Sequence, residues 1–233
     1  LFPYTTLFRS PKNTFQEVYT QIIEDLTYAS NVLPVTYPAS QLGYATKGAA
    51  LGLMARMKLY NKDYQGVLDA TSTLLTMGYT LNTNYGGLFT ESGEASKEIL
   101  FQVRFSTLAN DNKASFSTTY GSQPKVDELP MPNLVNDYYC LNGRPIAGNP
   151  QYNAATPKVN RDPRLAATIY FKGDVFVTSS GTVFNTTPHA TNYGKRKYIA
   201  SSGSVGSANG QDYYVVRYAD VLLMRAEALV ELN

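Results

Sequence analysis

The sequence predicts a mainly α-helical protein, a tetratricopeptide-like helical repeat scaffold that carries long irregular insertions and a few short strands. Three observations carry that prediction. Apolar residues recur at spacings of three and four near both ends of the 233 residues. The helices so marked share a rhythm of small and aromatic residues. Between them, over residues 79–212, glycine, proline, serine and asparagine become frequent and helical periodicity fades.

The first helix is expected over 14–33. Thr14 and Glu17 form a capping-box pattern that satisfies exposed amides at a helix start, and Phe15, Val18, Ile22, Leu26 and Ala29 make one apolar stripe. Pro34 and Pro38 end it. A second helix follows over 45–61 with Ala49, Leu53, Met57 and Tyr60 on one face, and Ala49, Ala50, Gly52 and Ala55 allow close helix approach. Asp63 caps a third over 64–77, whose stripe is Tyr64, Leu68, Thr71 and Leu75, and Gly78 is placed for a left-handed stop. In the irregular stretch, Glu98 to Phe105 reads as a strand, Pro132 to Leu141 as a short helix with proline in its first turn, and Ala167 to Phe171 as a second strand. Tyr198 to Gly210 reads as a flexible loop. The last helix is expected over 214–232, with Ala219, Leu222, Ala226 and Leu229 on one face and Asp220, Glu227 and Glu231 on another. Leu51, Ala55 and Leu59 superpose on Leu222, Ala226 and Val230, as two repeat helices would. Residues 1–10 fit no template and have neither a basic start nor a long apolar stretch, so they are read as a non-native segment outside the fold.

Composition removes several function classes. A net charge of +2 sets up no strong field toward nucleic acid or an anionic membrane surface. The short cluster Lys195-Arg196-Lys197 reads as a solvated loop. Cys140 stands alone, so an internal disulfide is impossible and a buried small hydrophobe is its expected role. His189 has no second histidine or cysteine cluster to share a metal, so no metal site is expected, and no cofactor fingerprint occurs. Glu91, Glu94, Asp127 and Glu128 are scattered along the chain, and no catalytic residue is assigned. Nineteen tyrosines with no tryptophan favour partly wet surfaces and interfaces, because a phenol joins an apolar face to a polar tip.

The sharpest charged motif is Asn160-Arg161-Asp162-Pro163-Arg164. Flanking arginines favour the ionised form of Asp162, which makes it a poor general acid, so Arg161, Asp162 and Arg164 are read as a structural ion-pair cluster that leads into the following strand.

Four segments together resemble the SusD/RagB family. They are Tyr44 to Arg56 with Tyr60, Asp63 and Tyr64; Gly78 to Leu81 with Tyr85, Leu88 and Phe89, leading to Glu98 to Phe101; Asn160 to Leu165; and Val216 to Met224 with Ala226-Glu227-Ala228. Their order and spacing match over nearly all of 14–233. The resemblance implies a non-catalytic cell-surface protein that binds oligosaccharide or polysaccharide and hands it to a SusC-like TonB-dependent transporter of the outer membrane. It also implies a lipidated N-terminal cysteine as membrane anchor, which Cys140, deep inside the chain, is not. On this reading residues 11–233 are an incomplete domain of the family, with a repeat region over 14–78, an irregular ligand-binding region over 79–212 and a repeat helix over 213–233. Family loops after the first strand can contribute to the ligand site, and here they supply Asn110, Asn112, Phe116, Tyr120 and Gln123. Aromatic faces against a sugar ring, with amides and hydroxyls bonding its hydroxyl groups, are the chemistry such a site needs. The rival readings are a binder of peptide cargo, a helical-repeat interaction scaffold and, third, a glycosidase.

Overall fold

The computed structural model describes residues 12–106, 129–175, 191–199 and 210–233, together with the backbone of 119–120 and 123–124. Its α-helices are α1 (Phe15–Val32), α2 (Lys47–Tyr60), α3 (Tyr64–Leu75), α4 (Tyr85–Leu88), α5 (Pro132–Asp137), α6 (Pro163–Thr168) and α7 (Tyr218–Glu231). Its strands are β1 (Ile99–Val103), β2 (Thr119–Tyr120), β3 (Gln123–Pro124), β4 (Ile169–Phe171), β5 (Tyr193–Lys195) and β6 (Tyr213–Arg217), which pair as β1 with β6, β2 with β3 and β4 with β5. The protein is mainly α, as its periodicity predicts. Its contacts divide it into two units, one of residues 1–81, 98–101 and 215–233, the other of 82–97 and 102–214.

In the first unit the helices begin where the sequence places their caps. Thr14 Oγ1 accepts from the Glu17 amide at 3.2 Å while Glu17 Oε2 accepts from the Thr14 amide at 2.7 Å, closing the capping box of α1. Asp63 Oδ1 accepts from the Gly66 amide at 2.9 Å and starts α3. Gly78 takes φ +81°, the left-handed stop expected of it. Leu51, Met54, Ala55, Val67, Ala70, Leu74, Leu100, Val216, Val221, Met224 and Ala228 form the core, so α2, α3 and α7 pack around two strand residues. Arg225 of α7 donates to Leu68 O, Thr71 Oγ1 and Ser72 Oγ of α3, each at 3.1 Å.

Three expectations change here. The segment 213–217 is a strand, and the last helix starts only at Tyr218. Tyr213-Tyr214-Val215-Val216-Arg217 is aromatic and β-branched, with Tyr214 and Val216 buried on one face, so the pleat suits it better than a helical turn. The buried helix faces are also rotated. α3 buries Val67, Ala70, Thr71 and Leu74, and α7 buries Val221, Met224 and Ala228, while Leu75 and Leu229 stay exposed. In α2 the run Gly48 to Gly52 with Met54 and Ala55 is buried and Tyr60 is exposed. α2 is apolar nearly all round over its buried stretch, so periodicity cannot choose its face and close neighbours choose it.

The second unit holds α4, α5, α6 and the β4–β5 pair around Val135, Leu165, Ile169 and Phe171. The expected strand over 167–171 begins only at Ile169, because Pro163 to Thr168 forms α6. Asp162 caps that helix by accepting from the Arg164 amide at 2.9 Å, and Pro163 occupies its first turn, where a missing N–H costs nothing. The short helix from Pro132 ends at Asp137, so Tyr138 to Leu141 leave it. Lys195-Arg196-Lys197 is not a solvated loop. Lys195 closes β5, the Arg196 guanidinium lies 5.0 Å from the Tyr170 ring centre, and the Lys197 ammonium lies 4.2 Å from that of Phe89. Cys140 is buried with an unpaired thiol. The loop over 198–210 falls mostly outside the described residues, as do residues 1–10 and His189.

Candidate functional site

The second unit carries a cleft of about 410 Å³ lined by Tyr85, Leu134, Asp137, Tyr138, Tyr139, Asp162 and Arg164. Each side chain arrives there for a local reason. Tyr85 opens α4, which Asn84 caps by accepting from the Gly87 amide at 2.9 Å. Leu134 and Asp137 stand on α5, and the two following tyrosines stay beside them because the chain turns extended at Tyr138.

What fixes that turn is the charged motif. Asp162 donates its amide to Tyr139 O at 2.8 Å, Leu141 donates to Asn160 O at 2.9 Å, and Cys140 and Arg161 form a β-bridge. Arg161 is buried, and its guanidinium donates to Pro157 O at 3.0 Å, Val135 O at 2.6 Å and Tyr138 O at 2.7 Å. Its position lies 5.4 Å from the Tyr152 ring centre. The arginine therefore ties the end of α5 to the start of α6 from beneath the tyrosine pair. Arg164 turns the other way and pairs with Asp162, Nε lying 3.0 Å from Oδ1 and 3.1 Å from Oδ2. Its guanidinium holds the Asp162 carboxyl below the usual carboxylate range, so the cleft presents a fixed ion pair. Burial pushes the Tyr138 phenol up, which keeps it protonated and able both to donate and to accept.

Tyr139 and Leu134 are about half exposed, at 50% and 44%, so an apolar face lies open beside charged and hydroxyl groups. That combination suits a ligand with hydrophobic C–H faces and many hydroxyls. Among the described residues, no group of three histidine, cysteine, aspartate or glutamate side chains is placed to hold a metal, and no helix is long and apolar enough to cross a membrane.

The residues predicted from sequence lie elsewhere. Asn110, Asn112 and Phe116 fall outside the described residues, as do Asp127 and Glu128. Tyr120 and Gln123 are paired by their backbones across β2 and β3. Arg161, Asp162 and Arg164 are described, and only the last two meet as an ion pair. Sequence reasoning missed Tyr85, Tyr138 and Tyr139. Two adjacent tyrosines after a proline-started helix of low amphipathicity are the one local signal for the last two, and a helix extended to Leu141 hides it.

Glu94 belongs to a different cluster. Its Oε1 accepts from the Asp212 amide at 2.8 Å, and Asp212 in turn accepts from the Phe105 amide at 2.8 Å and lies 3.0 Å from Arg104 Nε. Burial pushes the Glu94 carboxyl up to about 7, and the neighbouring Asp212 charge adds to the rise.

Comparison with known proteins places this geometry among relatives. The sequence pattern of the SusD family matches residues 97–233. A SusD-like carbohydrate-binding protein of Bacteroides fragilis superposes with a TM-score of 0.82 at 26% identity, covering 95% of this chain and 47% of that one. A second SusD-like protein of the same organism gives 0.79 at 25% identity, covering 95% and 50%. The SusD-like protein P25 of Formosa agariphila is 23% identical over 243 residues, covering 93% of this chain and 44% of the relative. The chain thus spans about half the length of the relatives it matches.

Proposed function

The chain belongs to the SusD family, and from that premise we propose that it is a non-catalytic glycan-binding protein of the outer-membrane surface. In the whole protein a lipid anchor holds it there, and it passes captured oligosaccharide to a SusC-like TonB-dependent transporter. The observation that carries this reading is the tyrosine-walled cleft of about 410 Å³. A sugar ring presents flat C–H faces edged by hydroxyls. Tyr139 offers an open ring for the face, and Tyr138, Asp137 and the Asp162–Arg164 pair offer donors and acceptors for the edge. The structurally similar carbohydrate-binding protein of Bacteroides fragilis supports the same ligand class.

The test is calorimetric titration of the chain against a panel of purified oligosaccharides, with product analysis on the same samples. Saturable binding without cleavage is expected, and Tyr139→Ala should weaken it about tenfold, the loss of roughly 1.4 kcal/mol of stacking. Turnover of the bound glycan would instead make the protein a hydrolase. Unchanged affinity in Tyr139→Ala would remove the cleft from the binding site.

A further inference from the structure

Beside the tyrosine cleft, a second cavity of about 400 Å³ lies in the same unit, and residues of α4 and α6 line both. Its charge is one-sided. Arg196 lines it, and among the described residues no aspartate or glutamate does. Among the described residues Arg56, Arg104, Arg164 and Arg217 each meet a carboxylate within salt-bridge distance, whereas Arg196, like Arg144, Arg161 and Arg225, meets none. Its Nη1 donates to Ala166 O at 2.9 Å, and its guanidinium carbon lies 5.0 Å from the ring centre of Tyr170, which is fully buried. A guanidinium carries five N–H donors, so one carbonyl leaves most of them for something in the cavity.

Of the other polar side chains lining it, Asn84 supplies a donor. Asn84 uses its Oδ1 as acceptor for the Gly87 amide, which leaves its Nδ2 to donate. Thr90 Oγ1 gives its one hydrogen to Gly87 O at 2.7 Å and lies 2.9 Å from Ser92 Oγ, so it adds no donor. A neutral sugar hydroxyl both donates and accepts, and it carries no charge to set against the guanidinium. A carboxylate or sulfate only accepts, and it would neutralise a partly desolvated guanidinium by a charge-assisted, bidentate bond.

We infer that the cavity at Arg196 is a subsite for an anionic substituent, so that the glycan taken by this protein is acidic, carrying carboxylate or sulfate groups. This rests on the glycan-binding reading and narrows its ligand class. Arg196 recognises the anion, Tyr170 packs beside its guanidinium, and Asn84 supplies a further donor.

Titration with matched pairs of oligosaccharides tests it: uronic-acid oligomers against their carboxyl-reduced counterparts, and sulfated oligomers against their desulfated counterparts. In at least one pair the acidic member should bind about tenfold more tightly or better. Arg196→Gln should erase that preference, bringing affinity for the acidic member down to that for its neutral counterpart, and Arg196→Lys should keep part of it, with thermal melts confirming that both variants fold. The pair that shows the preference tells carboxylate from sulfate. Neutral members that bind as well as acidic ones, or an acidic preference that survives Arg196→Gln, overturn the subsite and leave glycan binding intact. No binding by any member of either pair overturns glycan binding itself, and the subsite with it.

Discussion

Arg161 brings a full charge into a buried place where three backbone carbonyls, and no carboxylate among the described residues, receive it. Its bonds join residues that lie apart in sequence, Val135 and Tyr138 at the end of α5 and Pro157 before α6. Arg161→Ala would strand those carbonyls, and hydrogen bonds from a charged donor are each worth about 1.5–3 kcal/mol with imperfect additivity. We expect a loss of about 3 kcal/mol in urea unfolding, with Arg161→Lys a poor substitute because a point charge cannot span a fork of carbonyls. A loss within about 0.5 kcal/mol, the range of an ordinary surface change, would show that Arg161 does not hold the two helices together. The neighbouring Asp162 could be read from sequence as ionised and structural, but the division of labour between the two arginines could not, because which one meets the carboxylate depends on where α5 ends.

At the scale of the element, α2 is built from small residues so that other segments can come close. A Cβ on Gly52 would stand 2.8 Å from Val216 Cγ1 and 3.2 Å from Leu100 Cδ2, both in the core of its unit. Alanine normally favours a helix interior over glycine by about 1 kcal/mol. Here overpacking against a stiff β-branched side chain costs about 1–3 kcal/mol and outweighs that gain. Gly52→Ala should therefore lower the unfolding free energy by about 1 kcal/mol, measured by urea denaturation; a more stable variant would mean that β6 yields freely. The helix was legible as a helix. Its buried face was not, because Gly48 to Gly52 is small and apolar in every direction and only the packing of Leu100 and Val216 selects a side.

Across the whole molecule, stability should depend on pH through the carboxylate pair. Glu94 and Asp212 face each other with Arg104 and Glu91 nearby, and Tyr198 and Tyr214 complete the surroundings. Burial raises both carboxyls, while Arg104 and the Phe105 amide favour the ionised form of Asp212, so the proton resides on Glu94. Between the ordinary carboxylate value and about 7, the folded state holds a proton that the unfolded chain has released. Falling pH therefore favours folding, and stability declines as pH rises through this window before levelling off above it. Urea midpoints from about pH 5 to about pH 8 should fall in the wild type and fall less in Glu94→Gln, which imitates the protonated acid without titrating. Equal slopes in the two proteins would show that Glu94 does not carry the linkage.

Local signals were enough for the helical ends of the chain. The capping box at Thr14, the Asp63 cap and the Gly78 stop each act within a few residues, and the order of the segments was enough to suggest the family. Tertiary structure alone decided which helix faces are buried, that 213–217 pairs as a strand, and that Asp162 and Pro163 begin a helix. It also decided that Tyr85 and the Tyr138-Tyr139 pair, from separate segments, wall one cleft, and that Arg196 lies over Tyr170 with no counter-charge among the described residues. Periodicity and caps depend on neighbours along the chain, so sequence carries them. A ligand site depends on residues brought together across long separations, and only the packed chain defines those distances.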